Sequence, residues 1–335
     1  MKVIKKSFKV VFALAVLVGM ATLSNWVAAA SGVSMALVIG PSTADSLYRG
    51  FKVLFNDAFN KAKPSYEVFA MTVPSNNKKE TYVWLTQAFP QLREWVGPRD
   101  IKNLEASDWT IKNKKFEGSI SVPEDDVEDD TYNLLNPLFG GMGHAAVMHP
   151  DKLCYDLLAN GFTGKCYDGK NFFDTTHAFG SNKSTKKLTA TYYGQAIAAL
   201  GRMKNANGEP LFDGTEVLTL HTGSELEETA RQILNADFIS VAAGSTQNNI
   251  WKNSAKYNKA PRIVSSTAWF ITVEFIGLKP IIFQLRRKAR FVSKTNAQDS
   301  DIVYMNGEYI YGVDGRWNAG YGLPQLAFGS TGVDA

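Results

Sequence analysis

The residues that could do chemistry in this chain are few. The densest group is EDDVEDD, where Glu124, Asp125, Asp126, Glu128, Asp129 and Asp130 crowd six carboxylates into seven residues. A calcium loop of the EF-hand kind needs acids at alternate positions, a central glycine and a glutamate at the twelfth position. EDDVEDD has no such glycine and is too contiguous. Paired carboxylates for glycoside hydrolysis converge from separate places in a fold, whereas adjacent acids at a strand end point apart.

The four histidines are His144, His149, His177 and His221, and the two cysteines are Cys154 and Cys166. His144 and His149 are five apart, which misses the four-residue spacing of a zinc-binding helix. The cysteines form no C-x-x-C pair, so one bridge and two free thiols are both open. A nucleophilic Cys154–His177 pair has no supporting signature. GMGHAA, Gly141 to Ala146, matches the dinucleotide fingerprint in form, but NPLF precedes it where a strand is required. Small residues packing a helix closely explain it better. The residues thus imply no catalytic, cofactor or metal site, and the chain does not read as an enzyme.

Charge narrows the choice further. The chain carries 36 basic and 32 acidic residues, a formal +4. Lys2, Lys5, Lys6 and Lys9 are the only charges before Met35, and without them the two signs are equal at 32 each. A neutral body gives no bulk electrostatic case for nucleic-acid binding. The first 34 residues have a cationic start, an apolar run and an A-x-A site at Ala28 and Ala30. They read either as a secretory signal or as an over-called start ahead of Met35.

The elements around these residues follow from periodicity. Leu47, Phe51, Leu54, Phe55 and Phe59 lie on one helical face. YEVFAMTV reads as a strand and PSNNKKE as a turn. Trp109 and Ile111 alternate on one parity, and Phe116, Ile120 and Val122 on the other. The phase change across NKK predicts a bulge or turn there. A long hairpin from about 68 to 122 suits the pattern. EDDVEDD would then sit between a strand and a helix, with its charge favouring the helix N-terminus. Asn136 is predicted as a helix cap, with Pro137 in the first turn. His149-Pro150 is expected to interrupt that helix, and Gly161 to end it in a left-handed turn. After Leu188 come a helix with Tyr193, Ile197, Leu200 and Met203 on one face, a short buried strand EVLTLHT, and a helix capped by Ser224 with Glu227. The remainder is β-rich. The overall reading is α+β.

Longer stretches carry a resemblance. The LREWVG turn, the NKKFEG strand and the acidic run, all within residues 81–130, resemble the major head subunit of Mu-like phages. So do HPDKLCYDLLANGFTGKCYDGKNFFDTTH and DIVYMNGEYIYGVDGRWNAGYGLPQLAFGS. The resemblance spans about Met35 to Gly332 and is weakest over 188–279. It implies a tailed-phage major capsid fold of the Hong Kong phage type. The division it implies is a leader at 1–34, an N-terminal arm at 35–65 and an extended hairpin loop at 66–122. A peripheral domain with a spine helix would take 123–187 and 280–335, and an axial domain 188–279. Such a subunit self-assembles as hexamers and pentamers into an icosahedral shell in the bacterial cytoplasm. Its expected partners are itself, a separate scaffold protein, portal and other head proteins, and packaged DNA in a diffuse way. No fused scaffolding domain is expected before the arm. The alternative, resting on the leader alone, is an exported periplasmic binding protein or enzyme. Lys112, Lys114 and Lys115 near the loop are expected to meet acids of a neighbouring copy, with EDDVEDD as the candidate partner.

Overall fold

A computed structural model of the 335-residue chain describes residues 41–82, 109–129, 134–205, 208–242, 245–296 and 300–334. Residues 1–40 and 83–108, which include the leader and most of the hairpin reading, lie outside the described residues.

The chain opens with helix α1, Pro41–Lys61. Its apolar stripe seals against the body: Phe51 and Phe55 are buried, and Leu47, Leu54 and Phe59 pack around them. Strand β1, Ala70–Pro74, and the short strands β2, Lys79–Thr81, and β3, Thr110–Lys112, follow. Strand β4 is Lys114–Pro123. The change of phase read at NKK is real. Strand β3 pairs with β2, while β4 pairs with a strand near the C-terminus. Asn113 marks the switch: its buried Nδ2 donates to Ser75 Oγ and the Asn77 carbonyl, both at 2.8 Å.

Helix α2, Glu124–Glu128, comes directly after β4. Helix α3, Asn136–Ala159, is the longest in the described chain and runs through Pro150. The expected break at His149-Pro150 does not occur. Proline removes one N–H from the ladder, but His149 accepts a hydrogen bond from Trp317 Nε1 at 3.1 Å and Pro150 itself is buried. Tertiary packing holds the helix together. Leu135, not Asn136, stands at the cap, and no side chain caps it. Nor does Gly161 adopt a left-handed conformation. It sits in a short 3-10 turn where a Cβ would lie 2.6 Å from the Phe173 ring. Close packing is the reason for this glycine.

The remaining elements are β5, Lys183–Lys186; α4, Ala190–Gly201; β6, Val217–Thr222; α5, Glu227–Asn235; β7, Phe238–Ala242; β8, Ser245–Asn248; β9, Lys256–Lys259; and β10, Trp269–Glu274. The long strand β11, Ile281–Lys294, then leads through α6, Asp301–Asn306, to β12, Glu308–Tyr321, and β13, Ala327–Asp334. On α4, Tyr193, Leu200 and, just beyond it, Met203 are buried and Ile197 is partly buried, as its period predicts. The capping box expected at Ser224 does not form. Ser224 starts a 3-10 turn, α5 has no side-chain cap, and Glu227 pairs instead with Arg231 and Lys259.

Two sheets organise the molecule. The first runs β1-β11-β12-β4 and is antiparallel except for the β1–β11 pair. Helix α3 covers one of its faces and α1 packs on α3. Phe51 stacks on Phe139 with centroids 3.9 Å apart, and Tyr311 meets both edge-on. The helices approach so closely that a Cβ on Gly143 would lie 2.3 Å from the Phe55 carbonyl oxygen. This explains the small residues of GMGHAA.

The second sheet runs β5-β13-β10-β6-β9. Strand β10, at its centre, is buried over all but its last residue. Sheet membership does not follow the division read from the sequence. Strands β5 and β13, from stretches assigned to the peripheral body, pair beside the strands of 188–279. Polar groups tie the two bodies. Asn258 Nδ2 donates to Tyr155 Oη at 2.7 Å and to His221 Nδ1 at 2.9 Å, linking β9 to α3 and β6. Buried Asp151 on α3 accepts the backbone N–H groups of Ser65 and Tyr66 at 2.8 and 2.6 Å.

Candidate assembly interface

The residues singled out in the sequence fall at the two ends of one strand. Lys112 closes β3, and Lys114 and Lys115 open β4. All three are exposed and form no ion pair among the described residues. At the other end, the acidic run does not merely precede a helix. Its first five residues are one. Val127 is its anchor, buried beside Val122 and Phe291 in the core under α1. With Val127 inward, Asp125 and Asp126 point to solvent in the first turn, where negative charge suits the helix dipole. Glu124 is held by the Tyr309 hydroxyl at 2.5 Å. Asp129 caps the C-terminal end through its own N–H, bonded to the Asp125 carbonyl. Glu128 belongs to the helix, and Asp130 lies outside the described residues.

The paired strands β2 and β3 are firmly rooted. The Glu80 carboxylate accepts Ser75 Oγ–H at 2.8 Å and the N–H groups of Asn76 and Asn77 at 3.0 Å. The bonds from Ser75 and Asn77 hold it well below the usual carboxylate range, at about 2. Trp109 Nε1 donates to the Tyr321 carbonyl at 2.9 Å, and Tyr82 donates to the buried amide of Gln284 at 2.9 Å. Tyr82 and Trp109, on either side of residues 83–108, are therefore pinned to the first sheet.

Beside β4 lies an apolar groove of about 520 Å³ between α3 and the sheet, lined by Phe116, Ile120, Leu138, Met142, Val313 and Trp317 among others. His149 lies at its wall, and burial, with help from Lys152 and Arg262, pushes its pKa down.

Both cysteines are free thiols and both are buried. Burial pushes Cys154 well up, with Asp151 adding to the effect. Cys166, Asp168 and His177 bring metal-type donor atoms within 4.8 Å of one another, a cluster the sequence reading did not assemble. Asp168 joins them: it accepts Cys166 S–H at 3.1 Å, the Lys170 N–H at 3.0 Å and His177 Nδ1–H at 2.6 Å. Burial, then the bond to Asp168, raises the Cys166 thiol far above its ordinary value. The sulfur stays protonated and donates, so the trio works as a clip that closes the loop from 166 to 177. The D-G-K turn within CYDGKNFF was the available sequence signal for it.

The exposed face of the first sheet holds cations the sequence reading passed over. Arg287 and Arg290 on β11 both bind Asp314 on β12, Arg290 at 2.6 Å. The two arginines and Lys115 hold the Asp314 carboxylate low, Arg290 most strongly.

The family model of the Mu-like prophage major head subunit gpT matches residues 44–187, 179–263 and 257–333. The major capsid protein of Escherichia phage Mu is 31% identical over 296 residues, covering 88% of this chain and 76% of that protein. The Mu-like prophage FluMu major head subunit of Haemophilus influenzae is 29% identical over 294 residues, covering 88% and 75%. The solved procapsid of bacteriophage JBD30 superposes with a TM-score of 0.53 at 31% identity, covering 87% of this chain and 76% of that one. The chain belongs to the Mu-like prophage major head subunit family, and it has the tailed-phage major capsid fold.

Proposed function

We propose that copies of this chain associate as hexamers and pentamers and close into the icosahedral shell of a phage or prophage head. The observation that carries this reading is the family match, which runs across nearly the whole described chain and coincides with the fold of a procapsid subunit. Its work is assembly rather than catalysis: neighbours interlock and bury surface between identical chains. The shell forms in the bacterial cytoplasm around a separate scaffold protein, takes in a portal and other head proteins, and touches packaged DNA diffusely.

The parts divide the labour. Residues 35–65 serve as the arm, 66–122 as the extended loop, 123–187 and 280–335 as the peripheral body with α3 as its spine, and 188–279 as the axial body. The pinned hairpin base supports this, because a reaching loop needs a rigid root.

Expressing the chain from Met1 and from Met35 tests the proposal. Electron microscopy and sedimentation are expected to show shells, rings or capsomers. A strictly monomeric, compact protein contradicts it. Mass spectrometry of the N-terminus in cells separates a start at Met35 or Ala36 from a cleaved product beginning at Ser31.

A further inference from the structure

The exposed face of the first sheet is arranged in rows. Lys115, Arg316 and Arg287 stand directly opposite one another on β4, β12 and β11. Like charges in register across strands repel. The next row holds Glu117, Asp314 and Arg290. Asp314 is engaged by both Arg287 and Arg290. Four cations thus share two carboxylates on this patch. Lys115 and Arg316 form no ion pair among the described residues, and the buried Arg316 Nε has no hydrogen-bond partner.

The same strand ends in the opposite pole. Asp125 and Asp126 are exposed and unpaired among the described residues. From Lys115 to Pro123 is roughly 27 Å of extended chain, more than twice the Debye length of about 10 Å at 0.1 M salt. The poles of one copy cannot neutralise each other. Strand β4 holds them apart.

We infer that the acidic helix α2 of one copy docks on the Lys115–Arg316–Arg287 row of the next. This rests on the assembly reading above. The contact is head-to-tail, since two different surfaces meet, and such contacts close into rings when the rotation allows. A carboxylate approaching the row relieves the repulsion between its cations and pairs with the unpaired Lys115 ammonium at its exposed edge. Nucleic acid fits less well. Phosphates would satisfy the row but leave the acidic pole unpaired and repelled.

Zero-length carbodiimide coupling tests this directly. Assemblies are grown from equal amounts of ordinary and ¹⁵N-labelled full-length chain, coupled, digested and read by mass spectrometry. The expected result is a Lys115 link to Asp125 or Asp126 in mixed-isotope form, because the distance along β4 forbids the link within one chain. Other intersubunit links without this one overturn the inference and leave the assembly reading standing. Failure of the full-length chain to form any assembly for coupling overturns both, and assemblies that give no intersubunit link overturn the inference alone.

A charge exchange supplies the second arm. Lys115→Glu with Arg316→Glu, and separately Asp125→Lys with Asp126→Lys, should each raise the concentration needed for assembly about tenfold or more, which is about 1.4 kcal/mol. All four changes in one chain should recover most of the loss. If the combined variant is as defective as the two sets taken together, the contact is not between these poles.

Discussion

The two sheets of this molecule are built for different tasks. In the second, β10 reads Trp269-Phe270-Ile271-Thr272-Val273, and all five side chains are buried. Even its polar groups are closed off: buried His221 meets Thr272 Oγ1 through Nε2 at 2.7 Å and accepts from Asn258 Nδ2 through Nδ1 at 2.9 Å. In the first, β12 buries Tyr309, Tyr311 and Trp317 against α3 while its alternate residues, Asp314 and Arg316, face outward. One sheet is covered on both faces, and the other spends one face on charge. With the docking inferred for the cation row, the contrast assigns stability to the second sheet and assembly to the open face of the first. Damage to the second sheet should unfold the subunit, and damage to the open face of the first should leave it folded but alone.

The largest effect belongs to the buried strand. Ile271→Ala removes most of a fully buried side chain at the centre of the second sheet. A loss of about 2–5 kcal/mol is expected, seen as a lower melting midpoint by scanning fluorimetry, with assembly failing as a consequence. An unchanged midpoint would break the comparison.

Next comes Gly143 in the first body, where any Cβ collides with the Phe55 backbone. Backbone cannot swing aside as a side-chain end can. Gly143→Val should cost about 3 kcal/mol by prising α1 from α3, with the midpoint again as readout.

His221 sharpens the contrast through pH. Complete burial lowers its pKa to about 3. The folded protein therefore keeps it neutral while the unfolded chain takes up a proton below about 6.5. Its contribution is intact above that pH and is lost steadily down to about 3, at about 1.4 kcal/mol per pH unit. His221→Gln should flatten this part of the stability–pH curve in urea titrations. A slope unchanged by the substitution would assign the acid sensitivity elsewhere.

The smallest effect is at Glu80, whose carboxylate is held at about 2. Its hold on residues 75–77 is present above about 4.5 and fades as pH falls toward 2. Glu80→Gln should leave the global midpoint almost unchanged and speed proteolysis near residues 75–82.

Much of this was legible in the sequence because the signals were local. The stripe from Leu47 to Phe59, the change of parity at Asn113 and the strand before EDDVEDD each follow from neighbours a few residues apart. The misreadings were local rules overruled by distant packing. Pro150 stays helical because its turn is buried and His149 is bonded to Trp317. Gly161 serves Phe173 rather than a left-handed turn. What was not legible came from register between distant strands. The β1–β11 pairing joins residues about 211 apart, as in Ala70 with Ile281. The cation row needs β4, β11 and β12 aligned to the residue. Lys115 was singled out from sequence, but its companions Arg316 and Arg287 were invisible without that alignment.

The central claim is that this fold works by joining copies of itself. Analytical ultracentrifugation of the purified chain across a concentration and salt series, with electron microscopy of the fast fractions, tests it most directly. The account predicts capsomer-sized or larger species that grow with concentration and are altered by salt. A single monomeric boundary under every condition would contradict it.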